Sequence, residues 1–253
     1  MSAIPIRRPY QGVLQILQFN WRSYLLAVAC ACFALLALPF LPPRGRAALL
    51  LGTAPTLFWV ASSLLVSHYV YDRFPLYDLN WIARALSQTP RRWINIHCGL
   101  DETSAPLAAI FPDATGQVVD IFDARIMTET SIRQARQIKR GAIPAMPARY
   151  YDLGFGANSF EAAFSIFAAH ELRSHNQRVR LFEEISRVLV PSGEFVLTEH
   201  SRDLWNLLAF GPGFLHFFSR REWQNTASGA GLSLRTKFSM TPFVHVYILR
   251  KTI

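Results

Sequence analysis

The sequence predicts an α/β fold, a doubly wound and mostly parallel sheet, preceded by a two-helix transmembrane hairpin. Three observations carry that expectation. Two uncharged, apolar stretches, residues 24–41 and 47–71, lie near the N-terminus on either side of Pro42-Pro43-Arg44-Gly45-Arg46. An apolar run at Ile94-Asn95-Ile96, followed by Thr103 and Ser104 as helix-start residues, reads as a first strand feeding a helix. Residues 158–203 then read as strand, amphipathic helix, tight turn and alternating strand, the repeating unit of a parallel sheet.

A hydrocarbon core about 30 Å thick is crossed by roughly 17–25 helical residues, and both apolar stretches reach that length. Continuous apolar character without a polar stripe is what lipid exposure selects; the alternative is a helix pair buried in a soluble core. A cleaved signal peptide fits less well, because no small-x-small site follows the first stretch and the second would remain. Arg7, Arg8 and Arg22 precede the first span, Arg73, Arg84, Arg91 and Arg92 follow the second, and only Arg44 and Arg46 lie between. The positive-inside bias therefore predicts an inner or cytoplasmic membrane location, with both termini and the domain after the hairpin on the cytoplasmic side. The expected organisation is an N-terminal segment with the hairpin over 1–72, a linker over 73–90 and an α/β domain over 91–253.

A chain of 253 residues has room for one α/β domain and an appendage, and 51% hydrophobic against 17% charged is apolar for a soluble protein. The net charge of +9 raises nucleic acid as a partner. The basic residues are nevertheless scattered in short pairs, Arg7-Arg8, Arg91-Arg92, Lys139-Arg140 and Arg220-Arg221, with no recognition motif around them. Arginines facing anionic headgroups account for the charge, and no nucleic acid is expected. Of three cysteines, Cys30 and Cys32 sit in the first apolar stretch and Cys98 stands alone, so neither a disulfide framework nor a zinc pattern is visible and no metal is expected.

The first strand begins near Arg91, and its helix, with Pro106 in the first turn, ends near Phe111-Pro112. A second strand follows at about 116–121. Residues 128–140 have helical character, with Asp123 as a candidate start signal. The strand at 160–168 leads into a helix with Val179, Leu181, Phe182, Ile185, Val188 and Leu189 as its apolar positions. At Pro191-Ser192-Gly193 proline cannot continue the helix, and glycine takes the left-handed conformation that turns the chain into the strand at 194–199. Residues 201–221 form an apolar segment around Gly211-Pro212-Gly213, either a greasy lid or a cover for the sheet or hairpin. A helix at 221–230 and two runs, 232–240 and 242–250, close the chain.

The block NSFEAAFSIFAAHEL…EEISRVLVPSGEFVLTE resembles the second half of class I S-adenosylmethionine-dependent methyltransferases, especially the quinone-biosynthesis branch, where a helix ending in an R-V-L-x-P-G-G-like turn precedes the fifth strand. The resemblance covers residues 93–251 and leaves the hairpin outside. It implies a seven-stranded Rossmann-like sheet with an antiparallel terminal hairpin, and S-adenosylmethionine as cofactor. In this family the first strand ends in a G-x-G-x-G loop whose glycines let the backbone approach the cofactor. The corresponding positions here are His97, Gly99 and Asp101, with Asn95 where an acidic residue is common, so only the central glycine is kept. Asp120 stands where the family's ribose acid does, a carboxylate whose two oxygens suit a pair of hydroxyls, with Asp123 three residues later in reserve. Tyr150, Tyr151 and Asp152 stand where the family carries an adenine-facing segment, although an aromatic pair also serves packing.

An open parallel sheet binds ligands at the carboxyl ends of its strands. His170-Glu171 follows the fourth strand and Glu199-His200 ends the fifth, which makes His170, His200 and Glu199 the candidate catalytic residues. Histidine titrates near neutrality and could take the proton of a hydroxyl or phenol as methyl moves. Alternatively, alignment of the reactants supplies the rate with no dedicated base, His170 merely satisfying a strand end and His200 facing solvent. With the hairpin and the greasy segment, the expected activity is methyl transfer to a small lipophilic acceptor, a lipid or quinone-like molecule. The rival is a non-catalytic membrane scaffold with a degenerate cofactor loop, and cofactor affinity separates the two. A dehydrogenase is compatible with the α/β pattern, but the missing glycines count equally against it.

Overall fold

The computed structural model describes residues 7–138 and 143–252; the Lys139-Arg140 pair lies outside them. Helix α1 (Gln11–Ala37) begins well before the apolar stretch because Asp72, far along the chain, accepts from the otherwise free Gly12 and Val13 amides at 2.5 and 3.1 Å. Gly12 is required there: a Cβ would stand 2.3 Å from the Tyr71 Cβ. Asn20, at φ −120° and ψ 15°, breaks α1 into an inner limb and an apolar outer one. Helix α2 (Pro43–His68) starts earlier than expected, since Pro43 suits the first helical position and Arg44, Gly45 and Arg46 form the first turn. Arg46 closes the connection by donating to the Leu41 and Pro39 carbonyls. The helical stretches Gln11–Phe40 and Pro43–Arg73 are both long and apolar enough to cross a membrane.

Residues 73–90, expected as a linker, are packed structure. Leu76, Leu79 and Ile82 are fully buried around the short helix α3 (Asn80–Ala85), and Ser87 donates its amide and hydroxyl to Glu194 at 2.7 and 2.8 Å. Beyond it β1 (Arg92–His97), α4 (Ser104–Ile110), β2 (Thr115–Asp120), α5 (Thr130–Ala135), β3 (Met146–Pro147), β4 (Phe160–Ile166), α6 (His175–Val188), β5 (Leu189–His200), α7 (Leu204–Phe210), α8 (Arg220–Gly229), β6 (Leu232–Thr241) and β7 (Val244–Lys251) follow in order. They build one seven-stranded sheet, ordered β3-β2-β1-β4-β5-β7-β6, with β7 antiparallel to β5 and β6 and the rest parallel. Register brings the carboxyl ends level: His97 pairs with Asp120, and Ile166 with Thr198. From α6, Phe182 meets Phe195 edge-on at 5.0 Å and stacks with Trp223 at 6.2 Å, joining helix, sheet and α8.

The turn into β5 differs from expectation. Ser192, at φ 63°, takes the left-handed conformation, whereas Gly193 is needed for space: a Cβ there would come within 2.9 Å of the Val190 carbonyl. The strand absorbs the turn as an irregularity in its pairing with β4 between Phe160 and Ala162. The apolar segment after β5 leans on the hairpin, with the Ser62 hydroxyl donating to the Leu208 carbonyl at 3.2 Å and Gly211 against the Trp59 ring.

Candidate functional site

A cavity of about 780 Å³ opens where β1, β4 and β5 end. His97 lines it from the end of β1, Gly99 from the loop that follows, His170 and Glu171 from the turn after β4, and His200 from the tip of β5. The remaining wall belongs to the hairpin, through Phe19, Asn20 and Tyr24 of α1 and Trp59 and Val60 of α2. The inner limb of α1 is clamped to the loop after β1, where Glu102 accepts from Arg7, Gln11 and Gln15 at 3.0, 2.6 and 3.1 Å.

Asn95 in β1 and Asp101 in that loop are both buried and do not line the cavity. One Asp101 oxygen accepts from the Thr103 and Ser104 amides, both at 3.0 Å, and so starts α4. The Asn95 amide donates to the Thr103 and Ser104 hydroxyls at 2.8 Å. His97 is different: its ring faces the cavity, 8% of the residue is exposed, and neither ring nitrogen has a hydrogen-bond partner among the described residues. Behind Gly99 packs Ile132 of α5, whose terminal methyl lies 2.8 Å from where a Cβ would be.

Asp120 ends β2 as expected but lies outside the cavity lining. It accepts from the Phe122 amide at 3.1 Å and from Arg136 at 2.7 Å; the same guanidinium covers the Phe122 ring and donates to the Cys98 carbonyl. Asp123 does not start α5, which Glu129 precedes. Its hydrogen bonds from Arg125 hold its carboxyl at about 2. Tyr151 is exposed, edge-on to Tyr150 at 4.9 Å, and Asp152 accepts from the Gly154 amide; neither reaches the cavity.

The three candidate catalytic residues divide. His170 Nδ1 lies 2.7 Å from Glu199 Oε2, its backbone amide donates to the other Glu199 oxygen at 3.2 Å, and Nε2 lies 3.5 Å from Glu171. Burial opposes charge on the ring, but the two carboxylates outweigh it and lift its pKa to about 10. His200 is buried instead of facing solvent. Its Nδ1 sits 2.9 Å from the Phe243 carbonyl, which only accepts, so that nitrogen carries the hydrogen and Nε2 accepts from the Tyr71 hydroxyl at 2.6 Å. Desolvation pushes its pKa down to about 4, and Phe167 and Phe217 stack on its two sides. Both nitrogens are thus committed, Nδ1 to the turn between β6 and β7 and Nε2 to Tyr71 just beyond α2. Tyr71→Phe should cost about 1 kcal/mol, a fall of about 2–4 °C in the thermal midpoint of the detergent-solubilised chain. An unchanged midpoint would show the link to be idle.

Sequence reasoning missed Tyr71, Arg136 and His216. Tyr71 ends an apolar run and His216 sits between Leu215 and Phe217, so both read locally as packing; Arg136 is one of several basic residues on an amphipathic segment.

A parallel sheet closed by an antiparallel β7 between β5 and β6, with its cavity at the carboxyl ends, is the fold of S-adenosylmethionine-dependent methyltransferases. Residues 94–197 match the family described as methyltransferase domain. Among solved structures, a methyltransferase from Methanosarcina mazei shares the fold with a TM-score of 0.52 and 19% identity, over 68% of this chain and 97% of that one. One from Aquifex aeolicus scores 0.55 at 13% identity, over 76% and 98%. Human N-acetylserotonin methyltransferase, solved with S-adenosylmethionine, scores 0.55 at 11% identity, over 94% of this chain and 70% of that one. No curated protein matches the chain.

Proposed function

We propose that this chain is a membrane-held methyltransferase that passes a methyl group from S-adenosylmethionine to a small lipophilic acceptor, lipid or quinone-like, entering from between the apolar helices. The observation that carries this reading is the mixed wall of the cavity: His97, Gly99 and His170 face the same space as Phe19, Tyr24 and Trp59. Its volume falls within the roughly 300–1,000 Å³ of small-molecule sites. Outward-facing Phe33, Leu36, Phe40, Leu51 and Leu65 on the hairpin, with Leu204, Trp205 and Leu208 on α7, expose apolar side chains of the kind that mark a membrane or partner surface. The arginines flanking the spans favour the cytoplasmic side for the sheet.

The residues fit the cofactor at three points. His97 offers an unpartnered buried imidazole, the loop at Gly99 offers backbone, and Asp120 offers a carboxylate once Arg136 exchanges for ribose hydroxyls. Bound S-adenosylmethionine supplies a methyl group on a sulfonium. His170, held by Glu199, presents its ring to the acceptor, while Phe167 and Phe217 exclude water and the walls keep the reactants in line. One observation favours the scaffold reading instead: Ile132 backs Gly99 and Arg136 holds Asp120, so α5 occupies ground the cofactor needs.

The test uses the full chain in nanodiscs, titrated with S-adenosylhomocysteine and incubated with methyl-labelled cofactor and membrane extract. Binding heat and label in a lipid-soluble product are expected. No heat at millimolar S-adenosylhomocysteine would leave the scaffold.

A further inference from the structure

Three side chains from two distant parts of the chain converge on the cavity: His170 and Glu171 after β4, and His216 after α7. Their ligand atoms lie within 4.8 Å of one another, and the two imidazole rings are 5.0 Å apart. Donors about 2.1 Å from a tetrahedral zinc stand about 3.4 Å apart, so closure requires about an ångström of side-chain movement. His170 Nε2 and Glu171 Oε1, at 3.5 Å, are already at that spacing.

Three further features suit a cation. Glu199 holds His170 through Nδ1, which turns Nε2 toward Glu171 and His216; a carboxylate behind a ligating histidine fixes its tautomer and strengthens it as a donor. The second Glu171 oxygen is buried without a partner among the described residues, in a residue only 6% exposed. Arg173 donates to the His170 and His216 carbonyls at 3.1 and 2.7 Å, pinning the two ligand-bearing segments to each other. Its charge lies nearby, opposite in sign to Glu171 and Glu199, the two carboxylates that flank the His170 ring at 3.5 and 2.7 Å.

We infer that His170, Glu171 and His216 form a zinc site with its fourth position open to the cavity, where the acceptor's oxygen binds. Two histidines and a glutamate are a donor set suited to zinc, and a position left to the cavity is the pattern of a site that handles substrate. The role of the fourth position rests on the methyltransferase reading; the metal site does not. The absence of a metal spacing in the sequence is explained by the ligands' separation, since His216 reaches the other two only through the turn that follows α7.

The untagged full chain, purified in detergent and stripped with chelator, is titrated with zinc and with cobalt. One equivalent of zinc and the visible absorption of four-coordinate cobalt are expected. His216→Ala, at a partly exposed turn, and Glu171→Gln should each weaken zinc at least tenfold, and Glu199→Gln by about 10–100-fold. No stoichiometric zinc, or unchanged affinity in His216→Ala, overturns the site. S-adenosylhomocysteine titrated into zinc-loaded and stripped protein separates the readings. Zinc bound without cofactor affinity removes the enzyme and keeps the site; cofactor bound without zinc does the reverse.

Discussion

Asp120→Ala lowers the affinity of the detergent-solubilised chain for S-adenosylhomocysteine by about 10–100-fold, as read by isothermal titration. Hydrogen bonds to a charged group contribute about 1.5–3 kcal/mol, and each 1.4 kcal/mol is tenfold in affinity. The carboxylate is engaged by Arg136 at 2.7 Å, with the arginine side chain one-third exposed. An ion pair that open to water contributes about 0–1 kcal/mol, so exchanging it for ribose hydroxyls favours the ligand. Arg136→Gln should therefore retain the affinity that Asp120→Ala loses. Equal binding by Asp120→Ala and the parent chain would remove Asp120 from the site.

Phe182→Ala lowers stability by about 3–5 kcal/mol, the usual cost of truncating a buried aromatic ring. The ring is fully buried between Phe195 of β5 and Trp223 of α8, so its loss leaves a void that neither neighbour fills without leaving its own rotamer. Thermal unfolding in detergent should show a midpoint lowered by about 6–20 °C. A change under 2 °C would mean that α6 packs on the sheet otherwise than described.

Much of the sheet was legible because its signals are local. The apolar run at β1, the amphipathic α6 and the alternating β5 each declare their period within about a dozen residues, and the hairpin declares itself by uninterrupted apolar character. What could not be read depends on pairings across the chain. Asp72 starts α1 from sixty residues away, Glu102 gathers Arg7 and two glutamines from the start of α1, and Arg136 crosses to Asp120. The same limit governed the site. His170 and Glu199 were recognisable as strand-end residues, but their hydrogen bond, the burial of His200 under Tyr71 and the approach of His216 follow from how the strands and the hairpin stack. Asn95 and Asp101 illustrate the converse. Their positions match a cofactor loop, yet their side chains turn inward to hold the start of α4, since a buried amide and carboxylate must find partners.

The clamp that Asp72 and Glu102 make with the first turns of α1 means the greasy pair of helices is masonry and not a mooring rope. A fragment trimmed to residues 91–253 would forfeit one side of the chamber and the phenol that steadies His200. Cutting the sheet free of these helices therefore breaches the cavity that the two of them wall together.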